Sequence, residues 1–205
     1  MKKFIINLSY FSIPLLIWAV LILIIDPFNY FNLIDLKNES PKHNAEKLNT
    51  LLFRTIDFKN NPTNNILIGD SRTDALPIKL IENYENTRYK KLNTNAAKLN
   101  EIFELFYFAF ENNKIDKVVI GINFSMFNKF SFQNRVENTL KIINNPLLYI
   151  FNKNTLEASF YVVRSYLLSI DINTEPTLNK EQFWNWVIET KSKHWYEKYK
   201  YPKRK

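Results

Sequence analysis

Asn65-Ile66-Leu67-Ile68-Gly69-Asp70-Ser71-Arg72-Thr73 is the stretch on which the reading of the fold turns. Three β-favouring apolar residues run into a glycine and then a polar cluster, and Pro77 follows where a first helical turn would begin. The pattern predicts strand, tight turn, helix. In an open α/β sheet, functional groups gather just beyond the carboxyl ends of the strands, so Asp70, Ser71 and Arg72 are expected at the mouth of a crevice. A serine there is a candidate nucleophile, and it is also a common cap for the helix that follows; Asp70 can take the capping duty equally well and leave the serine free. Arg72 suits a sugar carboxylate or phosphate, or pairing with a surface acid.

Downstream of the turn, a short helix is expected from Leu76 to Tyr84 and a second strand from Tyr89 to Leu92. Leu99, Ile102, Phe103, Phe106 and Phe110 recur at helical spacing, and Leu105, Tyr107 and Phe108 widen the stripe until the helix is apolar nearly all round. Such a helix is expected to be covered on more than one side. Asn112-Asn113 supplies its stop. The third strand, Asp116 to Asn123, has an unbroken apolar centre of the kind found in parallel strands buried on both faces. Asn123, at its end, is suited to donate its amide to a developing oxyanion or to hold a neighbouring loop.

Beyond Asn123 no fourth strand is recognisable. Ser125 to Phe132 reads as an aromatic loop, and Val136 to Ile143 as a helix closed by Asn144-Asn145-Pro146. Leu156, Phe160, Val163, Leu167 and Ile170 form an apolar ladder along another helix. Leu178 to Tyr199 reads as a last helix carrying Phe183, Trp184, Trp186, Trp195, Tyr196 and Tyr199, followed by the basic Lys203-Arg204-Lys205. Its aromatics suit either a membrane surface or packing against further parts of the fold.

Upstream of the turn, Phe4 to Ile25 is a run of 22 residues without a charge. As a helix it would extend about 33 Å, enough to cross a hydrocarbon core, and Pro14 does not forbid this. Ile24-Ile25-Asp26-Pro27 offers no small-x-small cleavage site, so the expectation is an uncleaved anchor in contact with the lipid bilayer through residues 4–25. Lys2 and Lys3 before it place the N-terminus in the cytoplasm and the rest outside. Residues 26–64 read as a juxtamembrane connection in which Leu48, Leu51, Leu52 and Ile56 mark one amphipathic helix. His43 and Glu46, three apart, read as a solvated surface pair rather than a metal site, since no third ligand accompanies them.

Composition narrows the chemistry. The 205 residues carry a formal net charge of +8, no cysteine and two glycines. The absence of cysteine excludes disulfides, thiolate catalysis and Cys-ligated metal centres, and no cofactor or metal is expected. The positive charge favours polyanions, yet basic residues are scattered and no nucleic-acid-binding motif is present, so no nucleic-acid partner is expected.

The order of these pieces resembles a known family. Gly69-Asp70-Ser71 after an apolar strand is similar to the first block of the SGNH, or GDSL-type, hydrolases, serine esterases and acyl transferases on a three-layer α/β/α fold. Lys91-Leu92-Asn93-Thr94-Asn95-Ala96-Ala97 falls where that family carries its second block, with Asn95 or Ala96 in the place of the oxyanion glycine. Val118-Val119-Ile120-Gly121-Ile122-Asn123-Phe124 resembles the third block, with Asn123 at the oxyanion asparagine and Phe124 in place of the aspartate. The layout over residues 1–130 is similar to membrane-anchored SGNH-like proteins of bacterial envelopes. The resemblance implies Ser71 as the attacking group, Asn95, Asn123, Asp70 and Arg72 as oxyanion or substrate-binding residues, and acyl-ester hydrolysis or transfer on an extracytoplasmic glycan. It implies a single-pass protein of the bacterial inner membrane with its domain extracytoplasmic. The family's Asp-x-x-His block is missing; the two histidines, His43 and His194, lack its surroundings. A serine without a base is a weak nucleophile, so activity is expected to be impaired.

The expected organisation is thus a transmembrane anchor over 1–25, a connection over 26–64, and over 65–205 an incomplete three-layer, flavodoxin-like α/β domain with a short parallel sheet and extra C-terminal helices. The alternative function is a non-catalytic envelope scaffold, or a remnant, that binds a membrane protein partner through its aromatic helices.

Overall fold

The computed structural model describes residues 2–32, 45–128, 130 and 132–168, with the backbone alone over residues 2, 4–8 and 168. The chain is an α/β protein built on a three-stranded parallel sheet. In chain order the elements are α1 (Lys2–Ile25), α2 (Thr50–Asn60), β1 (Asn65–Gly69), α3 (Ser71–Asp74), α4 (Ile78–Glu85), β2 (Lys90–Asn93), α5 (Leu99–Asn112), β3 (Lys117–Ile120), a 3-10 turn (Phe124–Phe127), α6 (Arg135–Ile143), α7 (Pro146–Ile150) and α8 (Lys153–Leu168). Residues 45–48 are also helical.

The strand order is β2-β1-β3, so the strand that ends at the serine turn is the central one. Ile66 pairs with Lys90 and Val118, and Ile68 with Leu92 and Ile120. Every residue of β1 is buried. Ile66 and Ile68 share one face and join Leu51 and Phe58 of α2, Leu92, and Ile102, Leu105 and Phe108 of α5 in one apolar core. The period of two along the strand sets which residues meet that core.

β3 departs from expectation. Its residues are exposed or half-buried, not covered on both faces, because it lies at the sheet edge and β1 holds the centre. The outer face of α5 is likewise open, with Phe103, Tyr107 and Phe110 exposed. Pro77 starts α4 rather than the helix at the serine, which is the separate short α3. Asn49 breaks the expected 48–56 helix in two, its side chain accepting from the backbone N–H of Leu52, 3.1 Å away.

A second core lies between the end of α1 and the helices that follow the sheet. Ile22 and Phe28 pack with Leu52 and Ile56 of α2, Ile143 of α6, Tyr149 of α7, and Ala158 and Val162 of α8. Helix α2 therefore serves both cores from adjacent positions. The buried positions of α8 are Thr155, Ala158, Ser159, Val162 and Ser165, whereas Phe160 and Leu167 of the expected ladder are exposed. Small side chains let two helices approach closely, and α8 packs along α1 through them.

Asp26 fixes the exit from α1. It sits buried at a φ of 38°, and its carboxylate accepts from the backbone N–H groups of Tyr30, Phe31 and Asn32 at 2.8–3.0 Å and from the Tyr149 hydroxyl at 2.8 Å. Burial first, then the facing Asp26 carboxylate, pushes the Tyr149 phenol well above its usual value, so it stays a donor. Its ring stacks on Tyr30 with centroids 4.3 Å apart. Among the described residues no helix is long and apolar enough to cross a membrane. The described side chains of α1 thus fall short of the span expected over 4–25, while the helical backbone runs on to Lys2.

Removing the Asp26 carboxylate strands four buried or half-buried donors. Asp26→Ala is expected to cost about 3 kcal/mol or more and Tyr149→Phe about 1–2 kcal/mol, with the pair coupled in a double-mutant cycle of urea unfolding in mild detergent.

Candidate functional site

The serine turn is held from below by a steric fit. A Cβ on Gly69 would lie 2.1 Å from Thr73 Oγ1, and one on Gly121 would lie 1.7 Å from the same atom. Thr73 is thus seated against the bare backbone at the ends of two neighbouring strands, and the chain's two glycines are both spent on it. Neither glycine has a positive φ, so close approach rather than backbone conformation demands them. The short α3 is pulled onto the sheet end, and Ser71, its first residue, is set at the rim.

Asp70 is buried and takes the cap. Its Oδ1 accepts from the backbone N–H of Arg72 at 2.9 Å, while its Oδ2 accepts from Asn123 Nδ2 at 2.6 Å. Of the two capping candidates the aspartate does the work, and Ser71 is exposed with its hydroxyl making no hydrogen bond among the described residues. Arg72 is exposed beside it, its guanidinium unpaired among the described residues. Asn123 Oδ1 in turn accepts from Ser125 Oγ, so the amide is oriented from both ends.

Asn95 lies in the loop after β2. The backbone N–H of Thr94 donates to Gly69 O at 3.2 Å, which carries the β1–β2 pairing one residue past the strand and brings this loop to the serine turn. Ala96, not Asn95, adopts the left-handed conformation, with φ at 50°. A Cβ costs about 1–2 kcal/mol there, so Ala96 marks the spot where glycine fits best. Ser71, Asn95 and Asn123 thus come from three successive strand ends on one edge of the sheet.

Against the same edge, on the β2 side, opens a polar cavity of about 480 Å³ that sequence reasoning missed. Asn93 to Asn95, Asp74, Arg54 and Arg135 line it. Arg54 pairs with Asp74 at 2.7 Å and Glu46 at 3.2 Å. Arg135 is bidentate to the fully buried Glu101, at 3.0 and 2.7 Å. Asn93 is buried with neither side-chain atom hydrogen-bonded among the described residues. No spacing signal announces these pairs, since they join residues eight to 34 positions apart.

His43 and His194 lie outside the described residues, as does the aromatic stretch over 178–199. No described residue is a histidine, and among the described residues no cluster of metal-ligating side chains occurs. No family model, curated protein or solved structure matches the chain.

The geometry makes two substitutions informative. Gly121→Ala is expected to lower stability by about 1–3 kcal/mol, because the Thr73 hydroxyl must move away from the sheet end, and urea unfolding would show it. Ala96→Gly is expected to raise stability by up to about 1 kcal/mol by relieving the left-handed alanine, read by the same titration.

Proposed function

We propose that the chain is a membrane-anchored SGNH-like protein whose Ser71 turn is laid out for acyl-ester chemistry on an extracytoplasmic glycan, with turnover impaired. The observation that carries the reading is the exposed Ser71 hydroxyl, without a hydrogen bond among the described residues, on a turn whose capping is already done by Asp70. Attack by Ser71 on an ester carbonyl would build negative charge on the carbonyl oxygen. An amide N–H not used by Asp70 remains on Asn123 to meet that charge, worth about 3 kcal/mol where such donors are well placed. The serine proton needs an acceptor, and the described residues offer the hydroxyl none.

The anchor belongs to the same proposal. Helix α1 runs for 24 residues, about 36 Å. Tyr10, Phe11, Leu16, Ile17 and Ile24 each expose half or more of their surface, and the sequence from Phe4 to Ile25 has no charge. Lipid is the solvent in which such a surface is stable. Lys2 and Lys3, the first residues of α1, favour a start in the cytoplasm with the sheet outside. The three strands are then the first part of the three-layer arrangement of the family.

A second reading, an interaction protein without catalysis, draws support from the aromatic segment after β3. Phe124 is 95% exposed, Phe130 87% and Phe132 68%, a density of solvent-exposed rings that suits a partner's surface.

Hydrolysis of p-nitrophenyl acetate by the full chain in detergent tests the first reading. Wild type is expected to exceed Ser71→Ala by no more than about tenfold, since removing a triad base typically costs about 10³-fold or more. Added imidazole, a diffusible base, is expected to raise the wild-type rate above that of Ser71→Ala. Equal rates for the two proteins with imidazole present would remove Ser71 from the chemistry. A wild-type rate about 10³-fold above Ser71→Ala that disappears in His43→Ala or His194→Ala would instead identify the base and end the claim of impairment.

A further inference from the structure

The apolar ladder of α8 is left largely uncovered by the fold. Leu156 and Val163 are half-buried and Phe160 and Leu167 exposed, because α8 turns its smaller residues toward α1. Leu156, Phe160 and Val163 line a groove of about 380 Å³ together with Ile17, Leu21 and Ile25 of α1. No charged residue lines it. The donors of its two polar side chains are both engaged, the Trp18 indole N–H with Ile150 O at 2.9 Å and the Ser159 hydroxyl with Thr155 O at 2.8 Å.

Helix length decides which solvent this groove meets. Trp18, Ala19, Ile22 and Ile25, in the last two turns of α1, share a core with Ala158 and Val162 of α8. Without those turns, residues 4–17 would extend only about 21 Å, short of the roughly 30 Å of a hydrocarbon core. An α1 that crosses a bilayer must therefore sink its last turns into lipid, and α8 goes in beside them. The side of α1 that α8 leaves open agrees, since Val20, Leu21 and Ile24 there are apolar and half exposed.

We propose that α8 docks on the bilayer beside α1 and that lipid acyl chains fill the groove between the two helices. The inference rests on the reading of α1 as an anchor and extends the lipid contact to a second element. A hydrocarbon chain needs no hydrogen bond, whereas a polar ligand would give up its water here without gaining a partner. A partner's transmembrane helix is the poorer fit. Helices associate in lipid through small or polar residues, and those of α8 are already spent on α1, which leaves the bulky Ile17, Leu21, Phe160 and Val163 at the groove.

The charges of α8 suit the same placement. Lys153, Glu157 and Arg164 are exposed on the stripe that adjoins the ladder, and Lys153 pairs with Glu157 at 3.5 Å. Long basic side chains reach the headgroups while their stems and the neighbouring rings stay in the apolar layer, so α8 belongs at the boundary of the leaflet rather than at its centre.

The full chain in phosphatidylcholine vesicles tests the docking. It has no cysteine, so a nitroxide can be attached at one chosen position. Phe160→Cys probes the groove, Phe11→Cys the anchor, and Tyr84→Cys on α4 gives the aqueous reference; all three side chains are exposed, so none of these changes removes a core contact. Oxygen concentrates in lipid and a polar nickel chelate in water, and spin relaxation reads the collisions of the label with each. The Phe160 label is expected to meet oxygen as readily as the Phe11 label and to be shielded from the chelate to the same degree, with the Tyr84 label showing the reverse. A Phe160 label open to the chelate would put the groove in water, and one shielded from both reagents would put a protein surface over it. Either result overturns the docking and, with Phe11 still in lipid, leaves the anchor standing. A Phe11 label open to the chelate would instead remove the anchor reading, and the docking with it.

Discussion

A single threonine against two bare backbones organises the end of the sheet. Thr73 Oγ1 stands where any side chain at position 69 or 121 would have to be, so the last residue of β1 and the first after β3 must both lack a Cβ. Two glycines in 205 residues is a composition in which each one is conspicuous, and the structure spends both on this contact. The consequence reaches the site directly. With Thr73 seated, α3 is clamped to the strand ends, and Asp70 and Ser71 ahead of it have little freedom left. Asp70 then links to Asn123, so the turn after β1 and the turn after β3 become one polar assembly. Precision at a site comes from support of this kind beneath it, not from the reacting groups themselves.

The second constraint acts at the other end of the molecule and has a different character. Asp26 gathers three backbone N–H groups and the Tyr149 hydroxyl around one buried carboxylate, joining residues 123 positions apart. Trp18 of α1 adds a bond from its indole N–H to Ile150 O at 2.9 Å. Helix α1 is thereby fixed to α7 and α8, and α2 connects that cluster to the core under the sheet, with Leu52 and Ile56 on one side and Leu51 and Phe58 on the other. The direction of the long helix is thus tied through one intermediate helix to β1, the strand that leads into the Ser71 turn. A mobile tether between helix and sheet would have required no such buried carboxylate.

What the sequence made legible was local. The strand-glycine-aspartate-serine order, the stop at Asn112-Asn113 and the helix from 135 to 143 follow from period, turn chemistry and capping, which neighbouring residues decide. Failures came where the answer depends on distant parts of the chain. Val118 to Ile120 reads as a buried strand because apolar runs do not say which strand is central, and the order β2-β1-β3 puts it at the edge. The ladder Leu156, Phe160, Val163, Leu167 is periodic and Leu156 packs against the second core, yet Phe160 and Leu167 are exposed and the buried positions of α8 are the smaller Thr155, Ala158, Ser159, Val162 and Ser165, since close approach of two helices favours small side chains. In the site, Asp70, Ser71 and Asn123 could be named from their motifs. Asn93 could not, because only tertiary structure shows that an ordinary strand-end asparagine is sealed from water with both its polar atoms unanswered.

The polar groups at the sheet end divide into those already answered and those still open, and the division has a logic. Asp70 has both carboxylate oxygens occupied, and Asn123 is held by Asp70 at one end and Ser125 at the other. These residues position and are themselves positioned, so neither is free to reorient when a ligand arrives. Ser71 and Asn93 are open, on opposite sides of the pairing between β1 and β2, and one is exposed while the other is sealed. An open group in water loses nothing by waiting for a partner, because water serves it. A sealed open group is destabilising at every moment it waits. Of the two, only Ser71 stands where a ligand can reach it; Asn93, with both polar atoms closed even to water, lowers stability without presenting either atom to the cavity.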